Sequence, residues 1–381
     1  MNNIALIIGG DHHNGLNLAR ILGRNSVEVH AIIISDKNYS FMAKSKYISY
    51  YRIFKDSNKA LDYLIKEYSK KSDKVVVFPY SDDTAQLIDC NFDRLRDKFI
   101  VQSIKSKQGL ITKYMNKYEQ YKLAKQFGIR IADSLFIDLE NESDIDYFNW
   151  KYPCILKPVL STDGKKLDIR ICNNLKDAKN AILELKSKHY KRIFYQEFID
   201  FDYEVLLVGS IGYSTNNIVF TANRVIRNWP PQKGTGSFSI LWRNDNILKQ
   251  SLSLLKKIQE IGYKGLIDVE LFVKNGIIYL NEINWRNSGG DFRNLSSGFD
   301  YAYWWYCDAI GLKQSINSWI APHESYSMVE FSDIRYVLSK RISIRKWLND
   351  LKKCRNFSIF FKGDLKPFIY RFLYKLREIL L

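Results

Sequence analysis

Short apolar runs alternate with amphipathic stretches along the first quarter of the chain. The apolar runs lie at residues 3–8, 27–34 and 74–78, and apolar residues recur at helical spacing around 16–22 and 60–68. Strands that alternate with helices pair in parallel, so this order predicts a parallel α/β sheet. The first run has neither a positive flank nor a small-residue cleavage site, and it therefore predicts a strand, not a signal peptide.

The first predicted strand ends in a glycine-rich turn, GGDHHNG, at residues 9–15. Such a turn could cradle a phosphate at the start of a helix, but it departs from the G-x-G-x-x-G dinucleotide pattern. A tight structural turn is the favoured interpretation. His12 and His13 fall where ligands often meet a parallel sheet, although two polar loop residues are the simpler account. After the run at 74–78, Asp82 and Asp83 are predicted to cap a helix, with a substrate-facing Ser81 or Asp82 as the less favoured alternative.

Two apolar runs at 266–273 and 277–280 flank Lys-Asn-Gly, which predicts a β-hairpin because Asn and Gly accept positive φ. Side chains alternate along a strand, so we expect Glu270, Glu282 and Asn284 to converge, with Arg286 on the same face. Hard oxygen ligands of this kind suit Mg²⁺, and an adjacent Arg suits charge on a phosphoryl group. For Glu270 alone, a solvated acidic edge is the commoner situation.

A lysine inside an apolar run, Lys157 in YPCILKP, needs an anionic partner or a route to solvent, because burying an ammonium alone is costly. The loop at 161–165, STDGK, could close over a phosphate with backbone N–H groups. Glu197 and Glu204 flank a connection between two further predicted strands. They could contact an adenine amino group and ribose hydroxyls, or serve only as surface acids.

Further along, Arg224 precedes a loop at 232–237, QKGTGS, which suits a mobile lid near phosphate. A single helix is predicted over 113–128, another over 247–261, and the apolar segment 299–312 is expected to pack on the hairpin as core. The C-terminal stretch 366–381 is predicted to be a basic amphipathic helix whose apolar face carries Phe368, Phe372, Leu376 and Leu380. It could rest on an anionic membrane or pack on its own domain, which is the commoner case.

Composition narrows the function class. The chain has 381 residues, 46% of them hydrophobic, five cysteines without a CxxC pair, and a net charge of +17. A globular protein of a reducing compartment fits these values, and no apolar run is long enough to span a bilayer. We therefore expect a cytoplasmic protein. Residues 335–381 hold 13 Lys+Arg and 3 Asp+Glu, a net of +10, which favours polyanionic partners.

Taken in order, these segments resemble the ATP-grasp superfamily, from about Ile4 to Leu312. The resemblance implies an α/β and α+β architecture: an N-terminal parallel α/β domain, a small lid subdomain and a C-terminal ATP-grasp domain. The N-terminal domain would comprise residues 1–112, and the lid subdomain residues 113–200, with a linking helix at 113–133. The ATP-grasp domain would comprise residues 201–325, and residues 326–381 would form a basic extension.

The resemblance also assigns roles to individual residues. ATP phosphates would contact Lys117, Lys157 and the loop containing Ser161 and Gly164, while adenine and ribose would contact Glu197, Phe198, Ile199 and Glu204. Two Mg²⁺ ions, replaceable by Mn²⁺, would bind Glu270, Glu282 and Asn284, with Asp268 as a fallback. The catalytic residues would be Arg286, Arg224 and Lys157. Two departures stand out from the family pattern, namely Trp285 where EINPR would place proline, and Asn281 where an apolar residue is frequent.

The function implied is that of a carboxylate–amine ligase. ATP would phosphorylate a carboxylate, and an amine would capture the acyl phosphate. The region RVIRNWPPQKGTGSFS is similar to ligases of the D-aspartate ligase and carbamoyl phosphate synthetase-like group, which are often associated with cell-wall or surface-polysaccharide assembly. The substrates expected are a small carboxylate and an amine, the latter on a nucleotide sugar or a lipid-linked glycan. Peripheral membrane contact and a homodimer are left open.

Two other function classes compete with this one. The first is a non-catalytic nucleotide- or polyanion-binding protein, with the +17 charge as its working feature. Nucleic acid is disfavoured as the partner, because the aromatic residues cluster in apolar runs and do not interleave with Lys and Arg. The second is a dinucleotide-dependent oxidoreductase, which the broken glycine pattern disfavours.

Overall fold

The computed structural model describes residues 3–141, 150–158, 168–231, 234–313 and 324–380. The contacts divide the chain into two compact units. Unit 1 comprises Met1–Thr112, Val205–Val269 and Asn284–Leu381, and unit 2 comprises Lys113–Glu204 and Glu270–Ile283.

The strands are β1 Ala5–Gly10, β2 Val29–Ile34, β3 Tyr50–Phe54, β4 Val75–Pro79, β5 Phe99–Ile100, β6 Ser103–Ile104, β7 Ser134–Asp138, β8 Cys154–Pro158, β9 Arg170–Cys172, β10 Arg192–Glu197, β11 Tyr203–Ile211, β12 Ile218–Trp229, β13 Thr235–Leu241, β14 Tyr263–Lys274, β15 Ile277–Asn284, β16 Ser325–Met328 and β17 Cys354–Phe357. The α-helices are α1 His13–Arg24, α2 Ser57–Tyr68, α3 Asp82–Asp89, α4 Phe92–Leu95, α5 Leu110–Met115, α6 Lys117–Gln126, α7 Leu175–Ser187, α8 Asp245–Glu260, α9 Tyr301–Ala309, α10 Glu330–Asp333, α11 Arg335–Leu338, α12 Ile344–Lys353 and α13 Lys366–Leu380.

Unit 1 begins with a parallel sheet in the order β3-β2-β1-β4-β5, which confirms the predicted parallel α/β region. Strand β3 has no counterpart in the sequence-based prediction. It is an edge strand, YYRIF, whose residues stay partly or fully exposed, so it lacks the apolar run that marks its neighbours. The strand predicted as the third is therefore β4.

Both faces of this sheet are buried, as helices on each side require. Ala5 and Ile7 pack into one core, while Leu6 and Ile8 pack into the other. The first core also contains α9, where the Trp305 ring lies edge-on to Phe78 with centroids 5.3 Å apart. This core also contains Leu266 at the start of the hairpin, so residues 299–312 share a core with the hairpin as predicted, and with the N-terminal sheet in addition.

The second sheet of unit 1 has the order β14-β11-β12-β13-β16-β17, and β6 pairs with β14. Strands β11, β12 and β13 form an antiparallel run, and β16 continues it. The C-terminal strand β17 then pairs in parallel with β16. Residues 354–357 of the C-terminal segment thus belong to this sheet, and the segment is part of unit 1.

Unit 2 contains an antiparallel sheet in the order β7-β10-β8-β9. Helix α7 covers it, burying Ala178, Ile182 and Leu185 against Leu156 and Ile193. The predicted helix over 113–128 is interrupted. Asn116 has extended backbone angles and accepts hydrogen bonds from the N–H groups of residues 118 and 119, so it caps the start of α6.

The hairpin predicted around residue 275 is present. Strands β14 and β15 are neighbours in the sheet, and Asn275 and Gly276 both have positive φ, at 51° and 72°. These angles are those of a two-residue hairpin turn, which explains the Asn-Gly pair. Of the helices in the described part of the chain, none is long and apolar enough to cross a membrane.

Candidate active site

Lys157 lies on the central strand β8 of unit 2, directly opposite Phe194 on β10. Its ammonium donates to Gln196 Oε1 over 2.8 Å and lies 5.7 Å from the centre of the Phe194 ring. Gln196 is buried and is itself held by a hydrogen bond to the Ser134 hydroxyl. The ammonium is therefore fixed in place by one neutral carbonyl oxygen and one aromatic face.

Two charged side chains of unit 2 act on Lys157 in opposite directions. Burial lowers the pKa of Lys157 to about 7, the positive charge of Lys117 lowers it further, and the carboxylate of Glu282 opposes both effects. Two lysines and one glutamate of unit 2 thus lie within electrostatic reach of one another. The resemblance places both lysines on ATP phosphates and Glu282 on a metal, and the structure brings these three together.

Helix α6 places Lys117 and also orients the strand that carries Glu282. Lys117 is the first residue of this helix, directly after the Asn116 cap. One turn along, the buried Gln120 side chain bonds both backbone groups of Ile283: its amide donates to the carbonyl oxygen over 3.0 Å, and its oxygen accepts from the N–H over 2.9 Å. Sequence analysis missed Gln120, since a lone glutamine in a helix carries no pattern that marks it.

Glu270 and Glu282 lie on the two strands of the hairpin and are both half-buried. Asn281 reaches Glu270, because its side-chain amide donates to Oε2 over 3.2 Å. Asn281 departs from the family pattern, and this contact gives it a role. Asp202 tightens the same hairpin, because its carboxylate accepts from Asn275 N–H over 2.8 Å.

The predicted adenine hinge follows strand β10. Glu197 ends the strand and pairs loosely with Lys151, at 3.7 Å. The N–H groups of Glu197 and Phe198 donate to the carbonyls of Asp133 and Pro153 over 2.8 and 3.2 Å, so they hold the turn itself. Ile199 follows them. Glu204 lies on β11 and is half-buried. Ser161 and Gly164 of the predicted phosphate loop, and residues 232 and 233 of the predicted lid, lie outside the described residues.

The remaining predicted site residues belong to unit 1. Asn284 ends strand β15, and its side-chain oxygen accepts from Arg286 over 3.4 Å. The Arg286 guanidinium also pairs with Asp82, the first residue of α3, at 2.8 Å. Asp82 is not the cap of that helix as predicted: Ser81 is, in a reciprocal capping box with Thr84. Asp82 is instead the partner of Arg286.

Arg224 and Asp268 also belong to unit 1. Arg224 is exposed on β12 and lies 5.7 Å from the ring centre of Trp242. Asp268 is buried on β14 and accepts a hydrogen bond from the Ser288 hydroxyl. It belongs to a buried polar group with Ser288, Asp291 and Arg293, three residues just after the hairpin that sequence analysis missed.

In this group, Arg293 donates to Ser239 Oγ over 2.8 Å and to the Gly236 carbonyl over 3.1 Å. Burial lowers the pKa of Arg293 to about 10, although Asp268 and Asp291 oppose that effect. Burial raises the pKa of the Asp291 carboxyl well above its ordinary value, because it disfavours the charged form of an acid as it does that of a base. The run of polar residues in NSGGDFRN, directly after a buried strand, is the signal that could have revealed them.

Trp285 departs from the family pattern and has a packing role in unit 1. Its side chain is 1% exposed, and its ring lies edge-on to Tyr263 with centroids 5.0 Å apart. Its carbonyl oxygen accepts a hydrogen bond from the buried Gln102 amide. A large aromatic residue here anchors the turn between Asn284 and Arg286 to the core.

Two of the three glycines of the first turn, Gly9 and Gly15, are required by packing. A Cβ on Gly9 or Gly15 would come within 2.4 or 2.6 Å of the Tyr80 ring, which is fully buried between them. The Tyr80 hydroxyl donates to the Gly10 carbonyl over 2.9 Å. His12 caps helix α1 by accepting from Asn14 N–H. These contacts support the structural interpretation of the turn.

Part of the chain matches a known domain family. Residues 122–290 match the model of the ATP-grasp domain. Formate-dependent phosphoribosylglycinamide formyltransferase of Prochlorococcus marinus (strain NATL2A) is 26% identical over 169 residues, which are 43% of this chain and 42% of that protein. The Rhodococcus jostii enzyme of the same name is 28% identical over 148 residues, 35% and 34% of the two chains. The chain thus spans less than half the length of these relatives.

Solved structures agree on the fold. N5-carboxyaminoimidazole synthetase from Staphylococcus aureus superposes with a TM-score of 0.66 at 17% identity, covering 89% of this chain and 88% of that one. A biotin carboxylase from Campylobacter jejuni superposes with a TM-score of 0.65 at 14% identity, covering 84% and 74%. The predicted ATP-grasp fold is confirmed, and residues 122–290 match the ATP-grasp domain.

Proposed function

We propose that the chain is an ATP- and Mg²⁺-dependent ligase that joins a carboxylate to an amine and releases ADP and phosphate. The observation that carries this proposal is the pair of lysines in unit 2. Lys157 is held among buried neighbours with the charge of Lys117 close enough to lower its pKa. Like charges brought together in a desolvated place destabilise each other unless a polyanion binds there. The phosphates of ATP are such a polyanion.

The rest of unit 2 offers groups for the remainder of the nucleotide. The turn after β10 is fixed by its own backbone hydrogen bonds, at 2.8 and 3.2 Å. We assign the adenine edge to the carbonyl groups of this turn and to Ile199 N–H, with Glu197 beside them. Glu204, at the start of β11, is assigned to the ribose hydroxyls. These assignments rest on the family pattern and on the position of each residue.

The hairpin carboxylates fit Mg²⁺ by their chemistry. Mg²⁺ binds through one or two carboxylates and completes its shell with water and substrate phosphates. Glu270 and Glu282 supply two such carboxylates within unit 2, and Asn281 fixes the orientation of the first, at 3.2 Å. The part of the chain that the structure describes contains no group of three or more His, Cys, Asp or Glu side chains arranged for a metal. Bound Mg²⁺ would neutralise charge on the β- and γ-phosphates.

The reaction we propose needs no side-chain nucleophile. A substrate carboxylate oxygen attacks the γ-phosphorus of ATP, the bond to the β-phosphate oxygen breaks, and ADP leaves. The amine then attacks the acyl carbon, phosphate leaves with the bonding electrons, and the amine loses a proton to give the amide. Lys157 and Lys117 would bind the phosphates throughout, while Arg286 and Arg224 remain our candidates for stabilising the transferring phosphoryl group.

For the substrates, we propose a small carboxylate and an amine borne by a phosphorylated sugar. The support comes from the names of the relatives, phosphoribosylglycinamide formyltransferase and carboxyaminoimidazole ribonucleotide synthetase. Both names contain an amine-bearing ribose phosphate. Nothing among them supports the cell-wall or surface-polysaccharide role, so glycan acceptors take second place.

The experiment is a product search with Mg-ATP. The chain is incubated with panels of small carboxylates and of amines, ADP release is followed, and new amides are identified by mass spectrometry. We expect ADP release that depends on both substrates, and its loss in Glu282→Ala. Tight ATP binding without turnover for any pair would instead indicate a non-catalytic nucleotide-binding protein. Stabilisation by NAD(P) and not by Mg-ATP would contradict both.

A further inference from the structure

The C-terminal segment exposes large apolar side chains along one face of helix α13. Leu365, directly before the helix, and then Ile369, Phe372 and Leu373 are 42, 50, 48 and 51% exposed. Their spacing of four, seven and eight residues places them on one helical face. A row of this length is unusual on a solvated helix, because isolated surface apolar residues are normal whereas contiguous ones mark contact surfaces.

Other side chains of α13 pack onto the rest of unit 1. Phe368 meets Phe331 and Phe360 with ring centroids 5.8 and 5.4 Å apart. Tyr374 packs on Tyr39 at 4.1 Å. The helix is thus anchored by these contacts, and the exposed row is not a by-product of loose docking. The predicted apolar face is corrected here: Phe368 points to the protein and Phe372 to the outside, while the side chains of Leu376 and Leu380 lie outside the described part.

Helix α12 repeats the arrangement on a smaller scale. Ile344 and Leu348, one turn apart, are 52 and 43% exposed. Between them Arg345 and Lys346 are also exposed. Apolar side chains beside basic ones are characteristic of helices that lie in a membrane interface, where the apolar groups enter the lipid and the cations meet the headgroups.

Among the side chains described in residues 335–375, the exposed charges are basic. Asp364 is buried and pairs with Arg20 at 3.0 Å. Asp350 is buried and pairs with Arg227 at 2.6 Å. Asp364 therefore neutralises a residue outside the segment, and Asp350 is shared between Arg227 and Lys353, at 3.6 Å, within the segment. The exposed basic residues of the segment include Arg335, Lys340, Arg341, Arg345, Lys346, Lys352, Arg355, Lys362 and Lys366.

We propose that the exposed apolar row of α13, with the basic residues beside it, is a docking surface for an anionic lipid membrane. Charge complementarity selects this occupant. A second copy of the chain in a two-fold interface would set this basic surface against itself, and like charges would oppose the contact. Nucleic acid would satisfy the cations but leave the aliphatic row without a partner. A membrane with anionic headgroups satisfies both.

The test is flotation of the full chain with lipid vesicles. Vesicles with about 30 mol % phosphatidylglycerol in phosphatidylcholine provide the anionic headgroups. We expect binding to these vesicles, little binding to pure phosphatidylcholine, and loss of binding at about 1 M salt, where the Debye length falls to about 3 Å. Absence of binding to the anionic vesicles overturns the proposal.

Two variants separate the apolar from the basic contribution. Ile369→Ser with Phe372→Ser should lower the partition coefficient about tenfold or more, since each removes apolar atoms that would enter the lipid. Lys362→Glu with Lys366→Glu should abolish the preference for anionic vesicles. The matched control is Leu183→Ser on α7 in unit 2, where an equally exposed leucine, 63%, should not matter. Wild-type binding by the serine variant would contradict the proposal.

Two more measurements distinguish lipid binding from self-association and from nucleotide binding. Light scattering of the wild type and the serine variant reports the oligomeric state, and a dimer that the variant dissociates would show that a second copy covers the row. Mg-ATP binding should be unchanged in all these variants, since none lies among the proposed nucleotide contacts. Vesicle binding can therefore fail while the proposed ligase function stands, and the ligase function can fail while vesicle binding is observed.

Discussion

The Lys157 ammonium donates to Gln196 Oε1 over 2.8 Å, across two neighbouring strands of unit 2. A neutral oxygen orients a cation but does not neutralise it. Burial and Lys117 accordingly hold the pKa of Lys157 at about 7. Without a bound anion, this site disfavours the charged state that a phosphate would require.

Lys157→Met should weaken ATP binding strongly without harming the fold. Loss of a desolvated charge contact to phosphate costs about 2–5 kcal/mol, which is roughly 30- to 5,000-fold in Kd. Because a poorly compensated, half-buried cation is removed, the thermal midpoint should stay the same or rise. Isothermal titration calorimetry and a melting curve measure the two effects. Lys191→Met, an exposed lysine of the same unit, is the control, and a lowered midpoint in Lys157→Met would point to a structural role instead.

ATP affinity should depend on pH through Lys157. A bound phosphate favours the charged ammonium, so binding raises the pKa of Lys157 and takes up a proton above pH 7. We expect Kd to increase up to about tenfold per pH unit above 7, until the pKa of the complex is reached. Calorimetry in buffers of different ionisation enthalpy counts the proton. Lys157→Met should show no such uptake.

The same pKa has a consequence for stability without ATP. In the unfolded chain the lysine keeps its ordinary value of 10.5, so between about pH 7 and 10.5 the unfolded state binds more protons than the folded state. The contribution of Lys157 to the free energy of unfolding should therefore rise with pH across this window. The contribution of Lys157 is the difference in the free energy of unfolding between wild type and Lys157→Met, which urea denaturation measures at matched pH values. A difference that falls with pH would contradict the assignment.

Two substitutions in the hairpin should affect Mg²⁺ binding to different degrees, because Glu282 is a proposed ligand whereas Asn281 only orients Glu270. Glu282→Gln removes a carboxylate and should abolish Mg²⁺-dependent turnover. Asn281→Ala removes only the hydrogen bond to Glu270, so its apparent affinity for Mg²⁺ should fall about tenfold, as is usual for supporting residues. The Mg²⁺ dependence of ADP release measures both. Glu140→Gln, an exposed acid of the same unit, serves as the control and should match wild type.

Substitution of Arg286 should lower kcat far more than substitution of Asp82, although the two residues form an ion pair. If Arg286 stabilises the transferring phosphoryl group, Arg286→Met should lower kcat about 10²- to 10³-fold with little change in KM for ATP. Asp82 is 56% exposed, so Asp82→Asn should change the free energy of unfolding by no more than about 1 kcal/mol. Equal losses of kcat in the two variants would mean that the ion pair itself is required.

Trp285 should be a determinant of stability. It is fully buried against Tyr263, and replacing a buried tryptophan with alanine costs about 3–5 kcal/mol. Trp285→Phe keeps an aromatic ring in the contact and should cost less. Urea denaturation gives both values. A cost below about 1 kcal/mol for the alanine variant would be incompatible with this packing.

Much of the architecture could be predicted from local pattern. Runs such as residues 3–8 and the Asn-Gly turn specify strands and a hairpin by periodicity and backbone preference, and both are present. Strand β3 could not be found in this way, because an edge strand with exposed residues lacks an apolar run. The break at Asn116 was missed for a related reason: the helical pattern continues past it, and only the backbone reveals the cap.

The sequence by itself determined which chemical groups are available: two lysines, the carboxylates of the hairpin, and a basic C-terminal segment. Local spacing also determined the hairpin that carries Glu270 and Glu282. Only the tertiary structure decided their partners. Gln196 and Gln120 orient Lys157 and the Glu282 strand from positions 39 and 163 residues away in the chain from the groups they bond. Such contacts depend on strand register and helix docking, which no local pattern encodes, and they are what convert a set of polar residues into a candidate site.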